Sequence, residues 1–204
     1  MKRYVVSAIL LVISLPVLIC GCGKKISGKM ASPQTEQSKS EKLLDKALEL
    51  SGKKLTSEER NVALRMFRLN EKDIIQGLTV FLELSDGRYP SKLDGKTTLT
   101  EAEALWRAKY GGISPDKTTD KEKKKEAEET IYDIFFASAF YDKLIRENKD
   151  VAYYGDKITV QDSDKELMRW KISEDEYRVI YGDLTVETIS TEQLAELEEV
   201  SIAK

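Results

Sequence analysis

The 204-residue chain contains no histidine and only two cysteines, Cys20 and Cys22. Histidine is the most common general base and transition-metal ligand in proteins, so its absence excludes Ser-His-Asp and Cys-His sites and argues against hydrolytic zinc. A phosphate-binding loop is also missing, because Gly111-Gly112 is an isolated pair and not a nucleotide fingerprint. The sequence therefore predicts no metal, no cofactor and no catalytic residue of these common kinds.

An excess of basic charge is also lacking. The chain has 33 lysine and arginine residues against 36 aspartate and glutamate residues, for a formal net charge of −3. Nucleic-acid-binding proteins usually present a basic surface, so we expect no nucleic-acid partner. The apolar run Val5–Ile19 is broken by Pro16 and is shorter than the roughly 20 residues of a membrane-spanning helix.

The N-terminus has the pattern of an export signal. Lys2-Arg3 precedes the apolar run, as in secretory signal peptides. The segment Ile19-Cys20-Gly21-Cys22 resembles the bacterial lipobox, in which a small residue precedes the lipidated cysteine. The resemblance implies cleavage after Gly21 and acyl chains on Cys22. More than one acyl chain is needed for stable anchoring, because a single acyl chain binds a membrane only marginally.

This processing would fix the compartment and the thiol content of the mature protein. The mature chain would have 31 basic residues against the same 36 acidic ones, and no free thiol. No disulfide would then be available, so the fold must depend on its core. Gly23 follows the lipidated cysteine, and by the usual sorting rule of such lipoproteins this favours the outer membrane, facing the periplasm.

Composition divides the rest of the chain into a tether, a helical part and a strand-rich part. Almost nothing apolar occurs between Gly23 and Ser38, which predicts a flexible tether. After Asn148, long helical patterns give way to short β-branched or aromatic segments. The predicted segments are a signal peptide (1–21), the lipidated cysteine and tether (22–38), an α-helical domain (39–148) and a β-meander with a terminal helix (149–204).

Capping signals predict where the helices begin. Serine, threonine or asparagine caps stand ahead of five apolar periodic segments, at Ser38, Thr56, Asn70, Thr100 and Thr119. The last of these helices should run to about Arg146. Because its second half is apolar on more than one face, we expect it to be the central helix.

The C-terminal part is predicted to be an antiparallel meander of about five strands, which makes the fold α+β. Met168, Trp170 and Ile172 alternate with basic residues and should share a buried face. Ser190 with Gln193 should cap the last helix. The predicted strands are 152–153, 157–160, 166–172, 176–181 and 184–189.

A short sequence occurs twice in this part, as Tyr154-Gly155-Asp156 and Tyr181-Gly182-Asp183. Each copy precedes a predicted strand. We interpret it as a two-residue type II′ hairpin turn, in which glycine supplies a positive φ. A duplicated ligand-binding loop is the alternative.

An aromatic group in the meander is the candidate binding site. These side chains could form a face for a sugar or a peptide, although strand aromatics more often pack in the core or across strands, and we favour core packing. The group consists of Tyr153, Tyr154, Trp170, Tyr177 and Tyr181.

Carboxylates and lysines supply weaker candidates. A glycosidase-like pair needs only two acids, and Asp156, Glu176 and Asp183 are available in the meander. The run Lys121–Lys125 is interpreted as a solvated helix start that could also contact anionic lipid headgroups.

One acidic run has the beginning of a calcium loop. Asp162, Asp164 and Glu166 alternate as in an EF-hand, but Leu167 and Ser173 stand where that loop needs glycine and glutamate. We therefore interpret the run as a solvated turn.

Two resemblances cover short stretches. Ala152-Tyr153-Tyr154-Gly155 and the segments 167–171 and 177–184 resemble a C-terminal stretch of exported lipoproteins from planctomycete-type bacteria, which implies a compartment but no activity. Gly77–Pro90 is similar to a segment of type II secretion pseudopilins, whose processing site is absent here. We expect a non-catalytic envelope module with an envelope protein or glycan as partner; a carboxylate-dependent hydrolase and a secretion-apparatus subunit are the alternatives.

Overall fold

A computed structural model describes residues 33–202 apart from 53, 115 and 116, with side chains described between 39 and 197. The predicted signal peptide and Cys22 lie outside these residues. The described residues form two compact units, which divide between Leu69 and Asn70. This boundary differs from the change of pattern near Asn148, because the helices that follow residue 70 belong to the same unit as the sheet. Across the described residues, no helix has both the length and the apolar character needed to cross a membrane.

The first unit contains helices α1 (Pro33–Ser51) and α2 (Ser57–Met66). Thr56 and Glu59 form the predicted capping box at the start of α2, each side chain bonding to the other residue's backbone amide. Leu44 and Ala63 are buried at the centre of a small apolar cluster. The partly buried residues around them are Leu48, Leu55, Leu64, Met66 and Phe67.

Helix α1 begins earlier than the capping signal at Ser38 predicted, so the expected tether is wrong for residues 33–38. Pro33 is the first helical residue, a position that proline favours because its fixed φ suits the first turn. The glutamine, glutamate and lysine residues that follow are good helix formers. Their lack of apolar side chains suggested a tether, although helix formation does not require such side chains.

The helical layer of the second unit consists of α3 (Glu71–Ser85), α4 (Gly95–Lys109) and α5 (Lys121–Arg146). Helices α3 and α4 both pack on α5, which is the central helix, as predicted. Gly77 permits this packing, since a Cβ atom there would lie 2.5 Å from both the Cβ of Ala137 and the carbonyl oxygen of Asp133. The large buried side chains of α5 are Ile134, Phe135, Phe136, Phe140 and Leu144.

Two predicted helix starts are corrected. Helix α4 begins at Gly95, capped by Asp94, whose carboxylate accepts the backbone N–H of Thr97 at 2.9 Å. The predicted cap, Thr100, lies inside that helix, and its hydroxyl donates to the carbonyl oxygen of Lys96. Helix α5 is capped by Asp120 instead of the neighbouring threonine. In both cases an aspartate, the stronger cap, begins the helix in place of the threonine: Asp94 lies upstream of Thr100, and Asp120 directly follows Thr119.

Strands β1 (Ala152–Tyr153), β2 (Glu166–Lys171), β3 (Glu176–Tyr181) and β4 (Val186–Ser190) form an antiparallel sheet in the order β1-β2-β3-β4, followed by helix α6 (Thr191–Ile202). This architecture confirms the predicted α+β meander with a C-terminal helix. The bonds between Ser190 and Gln193 form the predicted cap of α6.

One of the five predicted strands, 157–160, is wrong. Thr159 makes only an isolated bridge to Arg88. The chain turns here because the Asp162 carboxylate accepts both the backbone N–H and the hydroxyl of Thr159, at 3.0 and 2.9 Å. A local side-chain bond of this kind competes with strand pairing.

The sheet is covered on both sides. Trp170 packs edge-on against Phe140 of α5, with ring centroids 5.8 Å apart, and Met168 is buried as predicted. Ile172 is 42% exposed because β2 ends at Lys171, so the prediction that it shares the buried face is wrong. A second cluster packs β3 and β4 against α6. Its members are Tyr177, Val179, Ile189 and Leu194, with Tyr181 and Leu197 partly buried beside them.

Candidate functional site

The predicted aromatic group does not form one exposed face. Trp170 packs against α5, whereas Tyr177 and Tyr181 belong to the cluster beside α6. Tyr153 and Tyr154 are partly buried on and after the short strand β1. These positions agree with core packing, which was the favoured interpretation of the pattern.

Three tyrosines of this aromatic group use their hydroxyls in hydrogen bonds within the protein. Tyr153 donates to the carbonyl oxygen of Pro90 at 2.8 Å, and Tyr177 donates to the Asp150 carboxylate at 2.5 Å. The Tyr154 hydroxyl accepts from Arg169 at 3.2 Å. Buried tyrosines normally find such partners, and here these partners hold loops against the sheet.

The three candidate acids of the hydrolase alternative are not brought together. Glu176 begins β3 and Asp183 follows the end of the same strand. Asp183 accepts the backbone N–H and the hydroxyl of Thr185, at 2.9 and 2.6 Å, and these bonds hold its pKa below the ordinary value. Asp156 is exposed on the other Tyr-Gly-Asp segment. Each of these carboxylates therefore occupies a turn or the start of a strand.

The Tyr89-Pro90 segment lies between the two Tyr-Gly-Asp turns and contacts both. The Tyr89 hydroxyl donates to the carbonyl oxygen of Gly182 at 2.8 Å, and burial is the main reason that the pKa of this tyrosine is raised. On the other side, the Pro90 carbonyl oxygen accepts from Tyr153. This loop after α3 therefore attaches the helical layer to both turns.

The role predicted for the glycines in these turns is wrong. Neither Gly155 nor Gly182 has a positive φ, whereas Leu184 does, at 65°. Both glycines are instead crowded. A Cβ atom at Gly155 would come closer than 3.0 Å to Pro90 and Tyr153, and one at Gly182 would come as close to the backbone of Asp162. Glycine is needed here because other chain segments pass very near.

In the run that resembles the start of a calcium loop, Asp162 and Glu166 form ion pairs. Asp162 pairs with Lys165 at 2.6 Å, and this bond together with those from Thr159 lowers the Asp162 pKa to about 2. Glu166 pairs with Arg169 at 2.9 Å in a largely buried position. In the part of the chain that the structure describes, no group of three or more acidic, cysteine or histidine side chains could hold a metal ion.

Four further side chains interact with one another, and we name them the carboxylate–tyrosine cluster: Asp94, Asp142, Tyr141 and Tyr153. Asp94 caps α4, while Tyr141 and Asp142 lie in α5. The rings of Tyr141 and Tyr153 meet edge to face, with centroids 6.2 Å apart. The cluster therefore lies where α4, α5 and β1 meet.

The two carboxyl groups of this cluster have opposite electrostatic environments. Burial raises the pKa of Asp142 and the charge of Asp94 raises it further, while Arg146 opposes the shift. Hydrogen bonds from Thr97 lower the pKa of Asp94. A pair of acids whose pKa values are pushed apart can in principle divide the roles of acid and base.

One sequence signal points to Asp142, although not to its partners in the cluster. Asp142 lies in the largely apolar second half of α5, two residues from both Phe140 and Leu144. A carboxylate in an apolar helical segment must be partly desolvated, which shifts its pKa upward.

No protein-family model matches the chain, and neither a curated protein nor a solved structure matches it.

Proposed function

We propose that this chain is a lipid-anchored protein of the bacterial cell envelope whose folded part is a non-catalytic binding or scaffolding module. The lipobox-like segment ending at Cys22 supports the anchor. The outer membrane, facing the periplasm, is the proposed location, and an envelope protein or glycan is the proposed partner. The protein would connect that partner to the bilayer.

One observation supports the non-catalytic assignment: side chains that could act in catalysis instead form hydrogen bonds that hold chain segments together. Tyr153 bonds to Pro90, Tyr89 bonds to Gly182, and Asp183 is bound within its own turn. A polar atom that already holds two segments together is a poor choice for contacting a substrate, because releasing it would cost the hydrogen bond and leave a partner unsatisfied.

Labelling with a radioactive fatty acid tests the anchor. Cys22→Ala should leave unprocessed precursor without label, because no thiol remains at the modification position. Cys20→Ala is the matched control and should be processed and labelled normally. Normal labelling of Cys22→Ala would contradict the proposed anchor.

The hydrolase alternative is favoured by one observation, the opposite pKa shifts of Asp142 and Asp94. In this alternative Asp142 would hold a proton at a pH where Asp94 is ionised, so Asp142 would be the acid and Asp94 the base or nucleophile.

A substrate screen separates the two functions. The detergent-solubilised full chain is tested for turnover of glycan, peptide and ester substrates and for sedimentation with purified cell-wall sacculi. Turnover that is lost in Asp142→Asn and Asp94→Asn but kept in the exposed control Asp156→Asn would establish the hydrolase. A binding module should instead show no turnover. It should sediment with sacculi or bind an envelope protein in a saturable way, and the aspartate variants should bind equally well.

A further inference from the structure

A concentration of basic charge lies where α4 ends and α5 begins. Residues 107–125 include seven lysines and arginines against three acids, although the whole chain has a net charge of −3. We call the exposed lysines of this region the lysine-rich end. They are Lys109, Lys117, Lys121, Lys123, Lys124 and Lys125, the last of which also pairs with Glu129 at 3.7 Å.

Contacts around Tyr110 place lysines from both helices on one surface. The ammonium groups of Lys109 and Lys123 lie 5.4 and 5.8 Å from the centroid of the Tyr110 ring. The Tyr110 hydroxyl donates to the carboxylate of Glu126. Because the ring contacts lysines from both helices, the end of α4 and the start of α5 present their charges together.

An apolar side chain projects from the same region. Ile113 is 51% exposed and follows Gly111 and Gly112, both of which have positive φ. A Cβ atom added at either glycine would meet nothing within 4 Å, so the space beside this loop is open. An exposed isoleucine among lysines has the composition of surfaces that enter the headgroup region of a bilayer.

The lysines of α5 occupy positions that weaken their own helix. The N-terminus of a helix carries a partial positive charge, which disfavours lysine and favours acids in the first turn. Lys121, Lys123 and Lys124 are nevertheless there, beside the cap Asp120. Departures from a local rule without a structural gain tend to mark functional surfaces.

We propose that the lysine-rich end docks onto an anionic lipid surface, with its lysines over the headgroups and Ile113 in the interface. Charge complementarity selects this occupant, since each lysine near an anionic bilayer contributes favourably and the rest of the chain is acidic. The proposal rests on the anchor at Cys22, which would keep this surface close to the membrane.

The experiment uses the full lipidated chain reconstituted in vesicles. One vesicle set contains about 30% phosphatidylglycerol in phosphatidylcholine, and the other contains phosphatidylcholine alone. A fluorophore on Thr119→Cys, an exposed position of this region, reports proximity through quenching by spin-labelled headgroups. We expect strong quenching in the anionic vesicles, weak quenching in the neutral ones, and reversal by high salt.

Charge reversal supplies the variant and its matched control. The triple variant Lys117→Glu, Lys121→Glu and Lys124→Glu should lower the docked-to-undocked ratio at least about tenfold. It should not unfold α5, since acids favour a helix N-terminus. The control makes the same change of charge at exposed lysines elsewhere in the second unit and should keep the quenching. Its substitutions are Lys92→Glu, Lys96→Glu and Lys157→Glu.

Three results would overturn the proposal. Equal quenching in neutral and anionic vesicles would mean that the anchor alone brings the domain to the surface. No quenching in either set would mean that this end faces away. Quenching only after envelope proteins are added would assign the surface to an acidic protein partner. Failure of the anchor is detected separately, because the protein would then not float with neutral vesicles. In that case, salt-sensitive flotation with anionic vesicles would still test docking.

Discussion

The two Tyr-Gly-Asp turns have the same sequence but different structures. In the first, the carbonyl oxygen of Tyr154 accepts the N–H groups of Lys157 and Ile158, at 2.9 and 3.1 Å, and Asp156 remains exposed. In the second, the carbonyl oxygen of Tyr181 accepts from Leu184, which takes the positive φ, and Asp183 is bound within the turn. Three identical residues therefore do not determine one turn type.

Long-range neighbours account for the difference. The first turn lies against Pro90 and pairs with β2 through the bond from Tyr154 N–H to the carbonyl oxygen of Leu167. The second lies against the loop before β2, where Gly182 N–H donates to the carbonyl oxygen of Lys165. What the turns share is a close backbone contact at the glycine, and this shared feature can be tested.

The largest expected loss of stability follows from adding a methyl group at the glycine of the second turn. In Gly182→Ala the new Cβ would meet backbone carbonyl oxygens of Asp162 and Thr159 closer than 3.0 Å, and backbone atoms cannot move aside cheaply. We expect a loss of about 3 kcal/mol in the free energy of unfolding, measured by denaturant titration.

Two further alanine variants make this test specific. Gly155→Ala should also destabilise, because its Cβ would meet the Pro90 carbonyl oxygen and the Tyr153 ring. Gly95→Ala is the matched control, since its Cβ would come no closer than 4.0 Å to any atom beyond its neighbours and its own helix, and alanine favours a helix. A Gly182→Ala protein as stable as the Gly95→Ala protein would remove close approach as the reason for glycine.

The next largest effects should come from the two tyrosine hydroxyls that hold the turns. Tyr89→Phe leaves the buried carbonyl oxygen of Gly182 without this donor, and Tyr153→Phe does the same to Pro90. Each should cost about 1–3 kcal/mol in the free energy of unfolding. Denaturant titration of both variants gives the two values.

The double variant shows whether the turns are independent. Tyr89 and Pro90 are adjacent in one segment, so releasing one turn should loosen the contact with the other. We expect a coupling energy of at least about 0.5 kcal/mol, the size found for residues that share a structural unit. Strict additivity would mean that the turns are held separately.

Sequence patterns predicted the elements of this part better than its contacts. The helix cap at Ser190 and the buried Met168 and Trp170 follow from local spacing. The missing strand at 157–160 and the glycine geometry do not, because they depend on Asp162 and on segments distant in sequence. Local rules identify a residue as part of a turn, whereas the requirement for glycine at that position can come from the close approach of a segment distant in sequence.

The candidate site shows the same limit. Asp156 and Asp183 were candidates only because they are acids of the predicted meander, and each lies in a turn. The carboxylates with opposite pKa shifts, Asp94 and Asp142, are 48 residues apart in sequence and meet only through the packing of α4 on α5. Neither spacing nor composition could have paired them.

The smallest expected effect concerns the aspartates of the two turns. Because bonds from Thr185 lower the pKa of Asp183, the folded state binds its proton less readily than the unfolded state does. Its contribution to stability is therefore present above the ordinary carboxyl pKa of about 4 and is lost as the pH falls through the lowered pKa. Asp183→Asn should lower the Tm slightly at pH 7, and this difference should shrink in acid.

The other turn supplies the control for this prediction. Asp156→Asn changes the same residue type in an exposed position and should leave the Tm unchanged. Thr185→Val removes the hydroxyl donor, so an NMR titration should show the pKa of Asp183 moving back toward its ordinary value. If Asp183 titrates identically in that variant, the hydroxyl is not the cause of the shift. Equal effects of the two asparagine substitutions would show that the turn carboxylates are equivalent after all, despite their different bonds.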